Sequence, residues 1–112
     1  MKMITRNIRR IDEIWTEITT PYLDRHNDYL QIFVAQDEDG YILTDDGWMI
    51  GEAAISGHIE DFVEFSEYLE YMKELYGVEI EDEAITIKAT AETFVLAKHK
   101  LIQAMLDVAE YC

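Results

Sequence analysis

The sequence predicts an α+β domain in which an antiparallel sheet of about five strands, two hairpins plus an N-terminal strand, is covered by helices. Three observations lead to this prediction. Short runs of β-branched and aromatic residues alternate with turns rich in Asp and Gly. Two later segments, 59–76 and 91–111, repeat apolar residues every three or four positions, which is the helical period. The 112 residues, 49% of them hydrophobic, are enough for a single domain over 1–112 with its own core.

The first third of the chain changes from helical to alternating apolar spacing. Isoleucines at helical spacing predict a short helix over 4–11. Alternation of Ile and Thr then predicts a strand over 14–20 that ends at Pro21, although a longer helix also fits these isoleucines. A polar turn at 24–28 precedes a strand over 29–35, whose nearly continuous apolar sequence predicts a central position with cover on both faces.

Asp-Gly sequences separate the next elements. A hairpin turn in which Gly40 supplies a positive φ leads to a strand over 41–44. Asp45 or Asp46 is then expected to cap a short helix over 48–55.

Two amphipathic helices dominate the second half. The helix over 59–76 is the clearest, and Gly77 is expected to end it. A hairpin follows, with strands over 78–80 and 84–88, and the last helix runs over 91–111. The predicted buried residues of the first helix are Phe62, Phe65, Leu69, Met72 and Tyr76, and those of the last helix are Phe94, Ala97, Leu101, Ala104, Met105 and Val108.

Three strings of residues are distinctive. Residues 20–32 read Thr-Pro-Tyr-Leu-Asp-Arg-His-Asn-Asp-Tyr-Leu-Gln-Ile, residues 43–47 read Leu-Thr-Asp-Asp-Gly, and residues 101–106 read Leu-Ile-Gln-Ala-Met-Leu. Together they resemble an uncharacterised family of bacterial and phage proteins, the domain-of-unknown-function family numbered 1828, from about Ile14 to Val108. The resemblance implies a phage or prophage setting and brings no known reaction.

The net charge of −15 lies in the middle of the chain. There are 24 Asp and Glu against nine Lys and Arg, yet residues 1–35 and 84–112 are each balanced. Residues 36–83 hold sixteen acids and one base, Lys73. Because phosphates repel such an anionic chain, direct nucleic-acid binding is excluded as its function. The acidic segment is therefore either a solubilising surface or a surface for a basic protein partner.

The helix over 59–76 places its glutamates on one stripe opposite the apolar face. Their axial spacing of about 4.5–6 Å is close to that of phosphates along a nucleic-acid strand. We therefore predict a small inhibitor, of the anti-defence or anti-CRISPR type, that mimics nucleic acid and occupies the basic groove of a nuclease or other DNA-binding protein. The predicted contact residues are Asp37, Glu38, Asp39, Glu60, Glu64, Glu67, Glu70, Glu74, Glu81, Asp82 and Glu83.

An enzyme is the first alternative. Asp24, His26 and Asp28 lie in one turn, and a regular hairpin is expected to bring them near Asp45 and Asp46. Such carboxylates could hold Mg²⁺ or Mn²⁺ for phosphodiester hydrolysis, with His26 as general base. The same residues are typical of turns and helix caps, and this structural interpretation is the one we favour. The inhibitor hypothesis itself needs no catalytic residue and no cofactor.

A homodimeric assembly module is the second alternative, because Tyr, Trp and Met on the helices are favoured at interfaces.

The single Cys, Cys112, cannot form an intrachain disulfide. No apolar run reaches the roughly 20 residues of a membrane span, and no signal-peptide pattern opens the chain. These features predict a cytoplasmic protein, in the host cytoplasm if it is phage-encoded, without a membrane partner.

Overall fold

The computed structural model describes residues 8–10, 15–23, 29–38, 40–47, 49–50 and 62–111. The strands are β1 (Ile8–Arg10), β2 (Trp15–Leu23), β3 (Tyr29–Asp37), β4 (Gly40–Thr44), β5 (Glu79–Glu81) and β6 (Ala84–Ala89), and the helices are α1 (Phe62–Tyr76) and α2 (Phe94–Tyr111). The α+β class is confirmed, with two hairpins and two long helices close to their predicted positions. Of the predicted short helix, Met49 and Ile50 are described and are helical. The predicted turn at 24–28 lies outside the described residues.

The six strands form one antiparallel sheet in the order β1-β2-β3-β4-β6-β5. β3 lies in the interior of the sheet, as predicted. One face of β3 is buried through Ile32 and Val34, whereas the other combines buried Ala35 with half-buried Phe33 and exposed Tyr29. The predicted cover on both faces is therefore complete on one face and only partial on the other.

The segment predicted as an N-terminal helix contains β1 instead. Ile8 pairs with Ile18 and Arg10 pairs with Thr16, so β1 lies along the outer side of β2. Isolated helices shorter than about 12 residues are marginal in water, whereas pairing with β2 satisfies the backbone groups of this short segment. Sheet pairing therefore overrides the helical spacing of the isoleucines.

β2 continues through Pro21, where the sequence predicted its end. The pairing with β3 is irregular between Thr19 and Leu23, and Leu23 then pairs with Tyr29. Pro21 has no N–H to donate, and an irregular stretch of the ladder is where a strand can contain such a residue. The hydroxyl of Thr20 accepts the Tyr22 N–H at 3.3 Å within this stretch.

One face of the sheet and the two helices enclose the core. α2 packs on β4 and β6, and α1 packs on α2. The ring of Phe94 meets Tyr41 of β4 edge-on, with 5.2 Å between ring centroids. The predicted stripe of α2 is confirmed: Ala97, Leu101, Ala104, Met105 and Val108 are all buried. The sheet contributes Ile18, Leu30, Ile32, Val34, Leu43, Ile85 and Ile87.

The buried face of α1 is rotated from the predicted one. Phe65 and Met72 are buried as expected, but Phe62 is 64% exposed, so its assignment to the core was wrong. Tyr68 packs against the core instead, with its ring stacked on Phe65 at 6.5 Å. Apolar spacing alone did not distinguish Phe62 from Tyr68, since both lie within one turn of Phe65.

Tyr76 links α1 to α2, because its hydroxyl donates a hydrogen bond to the Asp107 carboxylate. This hydrogen bond raises the pKa of Tyr76 to about 12, with smaller contributions from burial and from the Asp107 charge. The phenol therefore remains a donor well above neutral pH.

Local hydrogen bonds set the helix ends. Gly77 has φ +70, and its N–H donates to the Lys73 carbonyl at 2.9 Å, which confirms Gly77 as the end of α1. α2 begins at Phe94, later than the predicted residue 91. Thr90 and Thr93 form a turn before it, with the Thr90 N–H donating to the Thr93 hydroxyl at 2.9 Å. The Thr93 carbonyl accepts the Ala97 N–H at 2.8 Å, so Thr93 occupies the N-cap position of the helix.

The two-residue turn between β5 and β6 is strained. Asp82 and Glu83 have φ of 49 and 69, in the left-handed region that favours Gly and Asn. We expect Glu83→Gly to raise the free energy of unfolding by about 0.5–1 kcal/mol in urea denaturation, because relief of the left-handed strain outweighs the added flexibility of the unfolded chain. Glu83→Ala is the matched control, since it removes the carboxylate but keeps the strain. Equal stabilities of the two variants would contradict this explanation.

Candidate binding surface

The exposed side of α1 carries a series of carboxylates. Glu64, Glu67, Glu70 and Glu74 are all exposed, and they occupy the side of the helix away from Phe65 and Met72. At 1.5 Å per residue, successive glutamates from Glu67 onward are about 4.5 and 6 Å apart along the axis. The acidic stripe that the sequence predicted on this helix is thus present over its described part.

Lys73 connects this stripe to the edge of the sheet. Its ammonium Nζ lies 3.5 Å from Oε2 of Glu70 and 3.9 Å from Oε2 of Glu79, the first residue of β5. The β5–β6 hairpin continues from there with further exposed acids. We call the exposed acids of α1 and of the β5–β6 hairpin the acidic surface, and its members are Glu64, Glu67, Glu70, Glu74, Glu79, Glu81, Asp82 and Glu83.

The acidic turn between β3 and β4 lies at the opposite end of the sheet. Tyr41 pairs with Ala89 at the end of β6, whereas Ala84 at its start pairs with Glu81. Five residues of strand, about 17 Å, therefore separate the two turns. Of the remaining predicted contact residues, Asp37 ends β3, Glu38 is exposed in this distant turn, and Asp39 and Glu60 lie outside the described residues.

Asp45 is fully buried, with 0% of its surface exposed, and its carboxylate joins three segments of the chain. Oδ1 accepts the N–H groups of Gly47 and Ile85, both at 2.9 Å, and Oδ2 accepts the Met49 N–H at 3.0 Å. Burial raises the pKa of Asp45, and the three backbone donors oppose this shift. Both oxygens thus accept backbone N–H groups, and the bond from Met49 agrees with the prediction that Asp45 caps the short helix, whereas the bond from Ile85 was not anticipated.

The expected approach of Asp28 to Asp45 does not follow from the observed register. The tight turn pairs Asp37 with Gly40, and Phe33 consequently pairs with Thr44. Asp45 is therefore level with the middle of β3, about 10 Å of strand from Tyr29, the described residue nearest to position 28.

The remaining candidate catalytic residues are Asp24, His26 and Asp28, which lie outside the described residues, and Asp46, which is exposed. Within the described residues, no group of three or more His, Cys, Asp or Glu is arranged to hold a metal ion. The metal-dependent alternative, with Mg²⁺ or Mn²⁺, remains a prediction.

The profile of a protein family described as Domain of unknown function DUF1828 matches residues 20–108. The chain belongs to the DUF1828 family. The match begins within β2 and ends within α2, so it includes the whole of β3, β4, α1, β5 and β6. No curated protein and no solved structure matches the chain.

Two buried ionisable residues of this DUF1828 chain were not expected from the sequence. Lys98 of α2 is 4% exposed, and burial lowers its pKa. Glu17 of β2 is 9% exposed and lies opposite Arg9 of β1 in the sheet register. Lys98 is one helical turn from both Phe94 and Ile102. This spacing in the sequence could have indicated that Lys98 lies on a buried side of α2.

α1 also exposes apolar residues, of which Phe62 was expected in the core. Phe62, Val63, Tyr71 and Leu75 are all more than half exposed in this DUF1828 chain, among the glutamates of the acidic surface. Separately, none of the described helices is long and apolar enough to cross a membrane.

Proposed function

We propose that this DUF1828 protein is a small non-enzymatic inhibitor that binds a basic protein and occupies the surface with which that partner binds nucleic acid. The observation that carries the proposal is the concentration of exposed acids on the acidic surface. Residues 62–83 hold eight acids and one base, and the base, Lys73, lies between two of the acids. Complementary charge of this kind accelerates association with a basic partner and selects against anionic ones.

Two local costs support a role for these charges beyond solubility. Like charges three or four residues apart on α1 destabilise a helix by about 0.2–0.5 kcal/mol per pair. Glu83 places a further acid at a left-handed backbone position where Gly is preferred. A surface that served solubility alone could mix both signs of charge and use Asn-Gly in this turn. Binding to a basic partner explains both the like charges on α1 and the acid in the strained turn.

The partner class follows from the charge. A basic groove that binds phosphates offers Lys and Arg at intervals similar to those of the carboxylates on α1. An inhibitor of a phage-encoded, anti-defence or anti-CRISPR type, acting in the host cytoplasm without a cofactor, fits this description. A nuclease or another DNA-binding protein is the expected target.

Affinity capture tests the proposal. The protein is immobilised and exposed to bacterial lysate at about 50 and 500 mM salt, with and without competitor DNA, and the captured proteins are identified by mass spectrometry. We expect a nucleic-acid-binding protein that is retained at low salt and released by salt or DNA. The association rate of the purified partner should fall about tenfold or more between the two salt concentrations.

Paired variants separate the acidic surface from overall charge. E67Q/E74Q removes two charges from α1, and E38Q/E92Q removes two exposed charges from the distant end of the sheet. We expect the first variant to slow association about three- to tenfold and the second to change it little. Capture that is insensitive to salt and to DNA, or equal effects of the two variants, would argue against the proposal.

A further inference from the structure

A shallow, mostly apolar depression opens on the exposed side of α1. Phe62, Val63, Ser66, Glu67 and Glu70 line it, and its volume is about 400 Å³. Phe62 and Val63 are 64% and 70% exposed, so their apolar surfaces remain open to solvent at the start of the helix. Glu67 and Glu70 lie one to two turns further along and belong to the acidic surface.

The lining residues offer two kinds of contact, apolar and anionic, close enough together for a single side chain of a partner to use both. An aromatic ring and a branched aliphatic group provide apolar contact, and two carboxylates provide negative charge. An arginine side chain matches both, because its aliphatic stem covers apolar surface while its guanidinium pairs with a carboxylate. The guanidinium can also stack on an aromatic ring, which a lysine ammonium does less well. Mimicry of phosphate charge alone requires the carboxylates but does not explain the exposed Phe62 and Val63.

The geometry points to a receptor site for an arginine side chain of the basic partner, in the depression between Phe62, Val63 and Glu67. This inference rests on the proposed function, since it names the group of the partner that the acidic surface binds. Arginine is enriched among the residues that dominate binding energy, and such residues fill pockets on the opposite surface. The depression thus adds a selective contact to a surface that otherwise acts through charge.

Two peptides of equal charge, fluorescently labelled hexa-arginine and hexa-lysine, test the inference by fluorescence anisotropy. We expect hexa-arginine to bind about two- to fivefold more tightly, the factor of one exposed cation–π contact. Phe62→Ala should remove this preference, whereas Leu75→Ala, an exposed apolar residue of the same helix outside the depression, should retain it. Amide chemical shifts of the wild-type protein should move at Val63 and Ser66 with hexa-arginine, which tests the location without any variant.

The outcomes separate this inference from the proposed function. Equal binding of the two peptides, with normal salt-sensitive capture of a basic partner, would overturn the arginine site and leave the inhibitor proposal standing. A failure of both peptide binding and partner capture would overturn both. If the wild-type protein is a dimer in light scattering and Phe62→Ala makes it monomeric, the depression binds a second copy and the arginine site is wrong.

Discussion

Replacing Asp45 with alanine is expected to lower the free energy of unfolding by about 3 kcal/mol, measured by chemical denaturation. The variant leaves the N–H groups of Met49 and Ile85 buried without an acceptor, and each such group costs about 1–3 kcal/mol. It also disconnects the end of β4 from β6, although the Asp45 N–H still reaches the Ile85 carbonyl at 3.1 Å. Relief of the buried charge offsets part of this loss.

Two further variants, a conservative one at Asp45 and a control at the neighbouring Asp46, separate the loss of the hydrogen bonds from other effects. Asp45→Asn can keep one acceptor oxygen for Gly47 and Ile85 but turns its NH₂ group toward the Met49 N–H, so an intermediate loss of about 1–2 kcal/mol is expected. Asp46→Asn is the control, since Asp46 is exposed and Asn tolerates its φ of 59. Asp45→Ala as stable as Asp46→Asn would show that the three hydrogen bonds contribute nothing.

The direction of the Asp45 pKa shift predicts a pH dependence. A carboxyl whose pKa is higher in the folded than in the unfolded state binds its proton more tightly when folded. Its stabilising contribution is present below the unfolded pKa and is lost as pH rises through the folded pKa. Because Asp45→Asn does not titrate, the stability advantage of the wild type over this variant should be larger at about pH 5 than at about pH 7.5. A constant difference would show that the backbone donors balance the effect of burial on the pKa, and an opposite difference would show that they outweigh it.

Replacing Gly40 with alanine is expected to destabilise the protein by about 3 kcal/mol or to prevent folding. Gly40 begins β4 with φ +146, a conformation that residues with a Cβ rarely adopt. An added Cβ would also lie 2.2 Å from the carbonyl oxygen of Ala89, which is backbone and cannot rotate away. The substitution therefore forces β4 and β6 apart at the hairpin end.

Gly47→Ala is the matched control for Gly40. Gly47 also has a positive φ, +84, but an added Cβ would have Glu83 O at 3.9 Å as its nearest neighbour, an ordinary contact. Backbone strain of about 1–2 kcal/mol is therefore the whole expected effect. Soluble yield and the denaturation midpoint distinguish the two variants. Equal losses would mean that the close approach to Ala89 does not limit the fold.

Elements defined by local sequence were predictable, and those defined by distant contacts were not. α2 and the β3–β4 hairpin combine clear periodicity with Gly or Thr at their ends, so local preference and the fold agree. β1 was missed because its spacing is helical and its stability comes from β2. The extension of β2 through Pro21 was missed because the irregular pairing with β3 cannot be read from one strand.

In the candidate binding surface, too, features set by local sequence were predictable and those set by distant contacts were not. The stripe of Glu67, Glu70 and Glu74 follows from helical geometry and was predictable. The junction through Lys73 to Glu79 depends on how α1 meets the sheet edge, which no sequence pattern specifies. The separation of Glu38 from this surface likewise follows from strand order.

Because β5 lies at an edge of the sheet, its acidic residues also affect how two copies of the protein can meet. Among the described strands it has a single neighbour, β6, and its outer backbone groups form an open edge. A second copy could add a strand there, which is the first step of aggregation in many sheet proteins. Glu79 and Glu81 are exposed on this short strand, so two copies meeting edge to edge would bring four carboxylates together. The charges proposed to attract a basic partner would therefore also oppose edge-to-edge pairing of copies of the protein through β5.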